Sequence, residues 1–507
     1  MGRKKKKKPV VQVEDTAPPA ISSRYRFFLW MVSFFAVAAL FIGLDIATVW
    51  PGAEALNLDL ALSNERGDYI PAFTDSLLTE VGASLFEKAD LFFLFPRVLS
   101  AIILITTAVI YYRWGQKLFG KQTVQLQLLL FAASLYLPLF GKIATADSLL
   151  ILGQVGSWLS LIYLIRSGRT NHQFYLGLFT LLSSIADPVI TLEMGIILIS
   201  VFTLRYDYKV IFRQAWMLPV IPLLAMVVHG WNKELIYFGS GYLQNILYCL
   251  LGTLPFIGFV IGGLRDLVFK LKRREELAII LAAALFAGLA SGSPLFGFAL
   301  CAIGGKQLQL YFTPNYPWNN WVRGPAILHL IFALIGSFLL LLGGFVTFRG
   351  DGYRAFLGMV AAYWIFSLFA ILGIYGMRRD FTIGGTVLSG VLATLFFWVQ
   401  VYPYFETERN WPEELVELYQ DQDLDYQTRP ARRQVGRGSK VYVDREDELI
   451  NNARPYFRRA EILGEDVKTS AYSLSARPGT DTTVVDDALE LEGRSVGLLY
   501  RFMITDK

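Results

Sequence analysis

Long apolar runs dominate this sequence and limit what it can fold into. Between Arg26 and Tyr404, apolar stretches of roughly the length of a membrane span return many times, separated by short polar segments. A helix of about 20 residues crosses a hydrocarbon layer about 30 Å thick. The composition agrees, because 54% of the 507 residues are hydrophobic and only 18% are charged. The pattern excludes a soluble enzyme, a disordered chain and a protein with a single anchor, and it predicts an all-α polytopic membrane protein.

The basic loops set the expected topology. Lys4 to Lys8 form an unbroken basic run before the first apolar stretch, and such runs stay on the cytoplasmic side of the membrane. Anionic-lipid or nucleic-acid binding is the alternative reading of that run. If the break at Ser291 to Pro294 is a turn between two spans, the other basic loops also fall inside. The apolar runs predict about 12 or 13 transmembrane helices, and this arrangement gives thirteen, with the C-terminal tail outside.

The same scheme divides the chain into domains. Residues 1–26 form a basic cytoplasmic segment, residues 27–404 the transmembrane domain, and residues 405–507 a soluble tail outside the membrane. Within the second part, residues 51–90 form a long acidic outer loop whose apolar residues recur every three or four positions, which predicts helices lying on the membrane surface. The tail has a helix-like start at 411–419 and strand-like runs at 440–443, 482–485 and 495–504. We expect a small mixed α/β domain there, with a partly disordered tail as the alternative.

Four features could carry chemistry, and each has a purely structural alternative. The outer loop offers carboxylates at the membrane surface, where partial burial raises a pKa enough for a general base, but it could be a passive lid. The segment KIATAD, which holds Lys142 and Asp147, could simply cap a helix. The segment KQLQLYFTPNYP, which holds Lys306 and Tyr311, has a cation suited to a phosphate but also the composition of an aromatic interface belt.

The fourth feature is a set of acids in or near apolar runs, where ionisable groups are costly and are functional candidates. It comprises Asp45, Asp187 and Glu193. Asp187 precedes Pro188, so this pair could instead mark a turn between two short helices. The three histidines lie far apart and the chain has no phosphate-binding glycine loop, so neither a metal centre nor an ATP-driven pump is indicated.

Taken in order, these features resemble a known family. A basic N-terminus, one span, a long acidic outer loop, many short spans and an outer C-terminal domain are similar to the integral-membrane C-superfamily glycosyltransferases, in particular the protein O-mannosyltransferase, aminoarabinose-transferase and Rgt-like proteins. Arg97 and Ser100 match the family's Arg-x-x-Ser at a span start, and Asp147 matches its second acidic position. Lys306 and Tyr311 fall in a segment that resembles its Lys and Tyr element with two prolines.

The chain also departs from that family. Where the family has an Asp-Glu pair after the first span, this sequence has Ala53 and Glu54, so the expected base is missing. Where the family has Lys-Pro-Pro-Leu, the chain has Thr74, Asp75, Ser76 and Leu77. Where the family has Lys-Gly-Pro, the chain has 186–188, Ala-Asp-Pro.

The resemblance implies transfer of a sugar from a polyprenyl phosphate to an envelope glycan, lipid or protein acceptor at the outer face of the inner membrane. On this view Glu54 or Asp147 supplies the catalytic carboxylate, with Asp75 in reserve. The cations bind the lipid phosphate, and no cofactor or metal is required. The residues expected to bind substrate are Arg97, Lys142, Lys306 and Tyr311.

Two other functions remain open at this stage. The loss of the usual Asp at Ala53 favours a catalytically diverged, non-enzymatic membrane scaffold of the same fold in envelope assembly. A transporter or flippase would need inverted repeats or a polar path across the membrane, and the sequence gives no sign of either.

Overall fold

The computed structural model describes residues 23–44, 94–204, 206, 208–229, 242–313, 315–347 and 351–402, together with short strands after residue 439. The helical part of these residues is a bundle. Its α-helices are α1 (Ser23–Phe41), α2 (Leu94–Phe119), α3 (Lys121–Ala133), α4 (Asp147–Ser167), α5 (Thr170–Ala186), α6 (Pro188–Phe202), α7 (Tyr208–Ala215), α8 (Met217–His229), α9 (Tyr242–Gly252), α10 (Ile257–Lys272), α11 (Glu276–Ser291), α12 (Leu295–Tyr311), α13 (Asn319–Thr347), α14 (Asp351–Tyr375) and α15 (Arg379–Phe396).

The helices confirm a polytopic membrane protein. Of the described residues, six helical segments are long and apolar enough to cross a membrane, and a seventh forms if the bent pair α9 and α10 is one span. Three shorter apolar segments accompany them: Phe27–Phe41, Pro188–Phe202 and Glu276–Ser291. This count is lower than the 12 or 13 spans that the apolar runs predict, because several runs fold into helices too short to cross a bilayer alone.

Small residues bring neighbouring helices close together. At Gly153 of α4, an added Cβ atom would lie only 2.5 Å from the backbone nitrogen of Ser183 in α5. In a membrane, helices associate through such close packing, since lipid tails are as apolar as the side chains that helices would bury. The α4–α5 contact therefore requires glycine at this position.

The helix directions define two ends of the bundle. Helix α2 begins near Arg97 and ends at Phe119, about 33 Å away along its axis at 1.5 Å per residue. Helix α3 returns to Ala133, and a short 3₁₀ helix, Leu137–Gly141, leads to Lys142. We call the end that holds Lys142 the Lys142 end, and the opposite end, where α2 turns into α3, the Lys121 end.

The C-terminal tail contributes strands. Strand β1 (Lys440–Val443) pairs in parallel with β2 (Glu461–Leu463) and with β3 (Tyr472–Leu474), and β4 (Leu489–Glu490) pairs antiparallel with β5 (Arg501–Phe502). Strand β1 covers the run 440–443 that the sequence marks as a strand. The domain boundaries stay a prediction, and the basic N-terminal run, the outer loop 51–90 and the helix expected at 411–419 lie outside the described residues.

Candidate functional site

Three donors converge on consecutive carbonyl groups in the turn just after α1. The ammonium group of Lys142 donates to the carbonyl oxygen of Ile42 at 2.8 Å, and the indole Nε1 of Trp398 donates to that of Gly43 at 2.7 Å. Arg97 Nη1 donates to the carbonyl oxygen of Leu44 at 3.0 Å. The last carbonyls of a helix have no partner within the helix, and they form the negative end of its dipole. Lys142 also donates to the carbonyl oxygen of Leu40, in the last turn of α1, at 3.3 Å, while the other three bonds go to the turn that follows the helix.

Gly43 makes this convergence possible. Its φ of 77° lies in the left-handed region, which glycine adopts without the clash that a Cβ atom causes. A left-handed residue just after a helix turns the chain and redirects its carbonyl groups. The turn at Ile42 to Leu44 therefore exposes these oxygens to the donors from α2, the α3–α4 connection and the end of α15.

The ring of Trp398 lies close to both cations. The guanidinium carbon of Arg97 is 5.4 Å from the centre of its ring, and the Nζ of Lys142 is 5.6 Å from it. Both distances fit cation–π attraction, which strengthens when the groups are removed from water. Arg97 is 0% exposed and Lys142 is 1% exposed. The three residues form what we call the cation pair on Trp398, a buried site of positive charge at the Lys142 end.

Burial also changes the acidity of Lys142, which lies in a turn outside the membrane-spanning helices. Removal from water, with a smaller contribution from the neighbouring charge of Arg97, lowers the pKa of Lys142 to about 7. The ammonium group therefore gains or loses its proton near neutral pH. An anionic ligand at this site would favour the charged form.

Asp147 lies five residues after Lys142 and is also buried. The hydroxyl of Thr145 donates to its Oδ2 at 2.6 Å, and Asp147 is 4% exposed. It is the first residue of α4, whose N-cap position is Ala146 and has no side-chain cap. The structure therefore does not support the alternative that Asp147 serves as an N-cap, and it places a carboxylate at the Lys142 end.

Asp187 has the structural role that the sequence left open. It is the N-cap of α6, where its Oδ1 accepts a hydrogen bond from the backbone N–H of Ile190 at 2.9 Å. Its Oδ2 is buried and has no hydrogen-bond partner among the described residues. In this turn between α5 and α6, burial raises the pKa of Asp187 to about 7, against the lowering effect of hydrogen bonds from Ile190 and Val189. The charge of Asp147 is close enough to contribute to the same rise.

The other two acids that the sequence places in or near apolar runs are Glu193 and Asp45. Glu193 lies on α6, where it is exposed. Asp45 lies outside the described residues.

Lys306 and Tyr311 lie at the opposite end of the bundle. Near them on α12, the side chain of Gln309 contacts Thr123 at the start of α3, which is the Lys121 end. The hydroxyl of Tyr311 donates to the carbonyl oxygen of Ile374 at 2.9 Å and accepts from Arg323 Nε at 2.9 Å. The structure therefore brings Arg97, Lys142 and Asp147 to one end but does not bring Lys306 and Tyr311 to them.

The remaining predicted site residues are two acids of the loop 51–90. Glu54 and Asp75 lie outside the described residues. In the described part of the chain, no group of three or more His, Cys, Asp or Glu side chains could hold a metal ion. The roles of Glu54 and Asp75, and the expectation that no metal is needed, stay predictions.

Sequence reasoning missed Trp398 and the carbonyl groups of α1. Trp398 falls near the end of the last apolar run, where tryptophan is common at the membrane interface and carries no specific signal. In the structure Trp398 lies in a π-helical turn, Phe397–Val401, and such turns are frequent at functional sites. The sequence alone does not reveal this turn.

Comparisons with known proteins place the fold. No protein-family model matches the chain, and no curated protein matches it. The crystal structure of ArnT from Cupriavidus metallidurans bound to undecaprenyl phosphate superimposes with a TM-score of 0.59, at 13% sequence identity, covering 87% of this chain and 86% of that one. The apo form of the same protein gives 0.59 at 14% identity, with 87% of each chain covered. An oligosaccharyltransferase from Archaeoglobus fulgidus, in complex with Zn and sulfate, gives only 0.33 at 11% identity, covering 85% of this chain and 62% of that one.

These findings define the class of protein. The chain is a multi-pass helical membrane protein with a buried cationic site at one end of its bundle. Its fold is that of ArnT, an aminoarabinose transferase, which confirms at the level of the fold the resemblance that the sequence motifs suggest.

Proposed function

We propose that this protein is a membrane glycosyltransferase that moves a sugar from a polyprenyl-phosphate donor to an envelope glycan, lipid or protein acceptor. The observation that carries the proposal is the cation pair on Trp398, where Arg97 and Lys142 meet at one end of the bundle. The structural neighbour with the same fold was solved with undecaprenyl phosphate bound. A lipid phosphate is the kind of anion that two buried cations would stabilise.

The cation pair would act on the leaving group. When the bond from the sugar to the phosphate breaks, the phosphate gains negative charge. Cations held in place before the reaction stabilise that charge without reorganising, and their effect is large where water is excluded. The planar guanidinium of Arg97 suits two phosphate oxygens, while Lys142 acts as a point charge.

A carboxylate would act on the acceptor. Asp147 lies beside the turn that holds Lys142 and is hydrogen-bonded to Thr145 at 2.6 Å, which fixes its orientation. In this role it would accept the proton of the acceptor hydroxyl or amine as the new bond to the sugar forms. Glu54 and Asp75 are the sequence-based candidates for the same role.

The location of the reaction follows from the basic loops. If the positive-inside rule holds, the Lys121 end is cytoplasmic and the Lys142 end faces outward. The proposed partners are therefore a polyprenyl-phosphate sugar, an acceptor on the outer face of the cell inner membrane, and membrane lipids.

A transfer assay tests the proposal. The full-length protein in liposomes, with an undecaprenyl-phosphate donor carrying a radiolabelled sugar and an envelope extract as acceptor, should release free undecaprenyl phosphate and a labelled product. R97Q and D147N should each lose transfer, while K117Q, which removes an exposed cation of α2 away from the site, should retain it. Equal transfer by D147N and the wild type would remove Asp147 from the mechanism, and equal transfer by R97Q would remove the cation pair.

A second function is favoured by one specific observation. Arg97 and Lys142 both donate hydrogen bonds to carbonyl groups of the turn that follows α1, so their charges also have a structural use. A non-catalytic scaffold of the same fold would show no transfer with any donor, yet it would co-purify with a protein of envelope assembly. R97Q would then reduce thermal stability and leave that association intact in the folded fraction.

A further inference from the structure

A long groove that begins at Lys142 of the cation pair runs along the bundle between α1, α2, α3 and α15. It encloses about 1010 Å³, at the upper limit of ordinary small-molecule pockets. Lys142 closes one end, and the other reaches the turn between α2 and α3 at Gly120. Along α2 the groove extends from Leu104 to Gln116.

The lining changes character from one end to the other. Apart from Lys142, the middle and the Lys142 end are mostly apolar, with Leu104, Ala108, Leu129 and Ala132 among the lining residues. The Lys121 end is polar and cationic, and is lined by Arg113, Gln116, Lys121, Gln122, Gln125 and Gln309. No carboxylate is among the described residues that line the groove. A ligand matched to this surface has an anionic, hydrogen-bonding head and a long apolar tail.

The side of the groove opens toward the surroundings of the bundle. Three of its apolar lining residues are strongly exposed: Trp30 (73%), Val37 (43%) and Val109 (48%). They lie on α1 and α2, which therefore flank an opening at the level of the membrane. Such an opening admits a lipid directly from the bilayer.

The polarity of the groove argues against the tail of the proposed sugar donor. A donor whose phosphate bound Arg97 would place the tip of its hydrocarbon tail among the amides and cations of the Lys121 end. Polar groups covered by hydrocarbon lose their hydrogen bonds to water without replacement, which is unfavourable. A lipid with its anionic headgroup at the Lys121 end places the headgroup beside the cations and amides, and its hydrocarbon beside the apolar lining.

We propose that the groove binds an anionic phospholipid from the leaflet at the Lys121 end. Its headgroup lies at Arg113 and Lys121, and one acyl chain extends into the apolar middle of the groove, lined by Ala108 and Leu129. Each basic residue near a membrane surface contributes favourably to the binding of anionic lipid. The groove shares Lys142 with the cation pair, but the headgroup site at Arg113 and Lys121 lies at its other end, so the inference does not depend on the proposed transferase activity.

Lipid retention tests this inference. The full-length protein is reconstituted in nanodiscs with equal amounts of phosphatidylglycerol and phosphatidylcholine and then extracted in detergent, and the lipid that remains bound is measured by mass spectrometry. The wild type should retain phosphatidylglycerol in preference to phosphatidylcholine. R113Q/K121Q should lower the retained phosphatidylglycerol by at least about tenfold. K117Q/K272Q, which removes two exposed cations outside the groove, should match the wild type.

A second variant tests the apolar half. A108F fills the groove without changing charge, so it should also release phosphatidylglycerol while thermal stability shows that the protein is folded. Equal retention by R113Q/K121Q and its control would overturn the proposal, as would equal retention of the two lipids by the wild type. A competition experiment uses R97Q, in which the cation pair is disrupted. If added undecaprenyl phosphate displaces phosphatidylglycerol from this variant, the groove binds the polyprenyl lipid and the proposal is overturned.

Discussion

The indole of Trp398 donates a hydrogen bond of 2.7 Å to the carbonyl oxygen of Gly43, across 355 residues of sequence. This bond joins the end of the last described helix to the end of the first. It also holds the ring at which Arg97 and Lys142 meet. The fold and the cation pair therefore depend on the same side chain.

Replacement of Trp398 by Phe tests that dependence. W398F keeps an aromatic ring but removes the N–H, so a buried carbonyl loses its partner at a cost of about 1–3 kcal/mol. We expect a lower melting temperature in detergent and weaker binding of undecaprenyl phosphate. W364F, which removes a longer bond of 3.4 Å to Ser337, is the matched control and should change both much less. Equal effects of the two substitutions would contradict a special role for Trp398.

The affinity for a lipid phosphate should depend on pH through Lys142. Because the pKa of Lys142 is lowered to about 7, the side chain is charged below that pH and neutral above it. Titration of undecaprenyl phosphate at several pH values should therefore show binding that weakens as the pH rises from 6 to 8.5. In K142R the charge stays, since arginine is not deprotonated in proteins, and this weakening should disappear.

The comparison with K142R also controls for the pH dependence that comes from ionisation of the ligand itself. A phosphate monoester changes its own charge near pH 6, and it does so equally for both proteins. The same pH dependence in K142R and the wild type would show that Lys142 does not bind the phosphate.

Because of Asp187 the free energy of unfolding should decrease as the pH rises, the opposite of what a carboxylate with a lowered pKa produces. Burial raises its folded pKa to about 7 from the ordinary 3.8, so the folded state holds a proton that the unfolded state releases. The contribution of this proton to the free energy of unfolding is complete below pH 3.8 and is lost as the pH rises through about 7. D187N remains a good N-cap and cannot ionise. Its melting temperature relative to the wild type should rise between pH 5 and 8, and a constant difference would contradict the account.

Close helix packing predicts different effects for two glycines. G153A would drive a methyl group into the backbone of α5 at Ser183 and should lower the melting temperature clearly. G336A adds the same methyl group on α13, where nothing lies within 4 Å of it. Because alanine is a better helix former than glycine by about 0.5–1 kcal/mol, G336A should be neutral or stabilising. A tolerated G153A would show that α4 and α5 do not pack this tightly.

The sequence predicts the fold class and part of the site. Apolar runs define membrane helices because the bilayer allows few other structures, and the motif residues Arg97 and Asp147 do lie at the same end as Lys142. The run around Lys306 looked equally suited to phosphate, yet α12 carries it to the other end. Helix direction and packing decide such distances, and a single sequence does not record them. Trp398 and Gly43 were missed for the same reason.

Direct binding of undecaprenyl phosphate to the purified full-length protein tests the central claim, that the cation pair on Trp398 holds a polyprenyl phosphate. A charge-assisted hydrogen bond is worth about 1.5–3 kcal/mol, so R97Q should weaken binding about 10- to 150-fold. K117Q should bind as the wild type does. If R97Q and K117Q bind the lipid with equal affinity while both remain folded, the claim is contradicted.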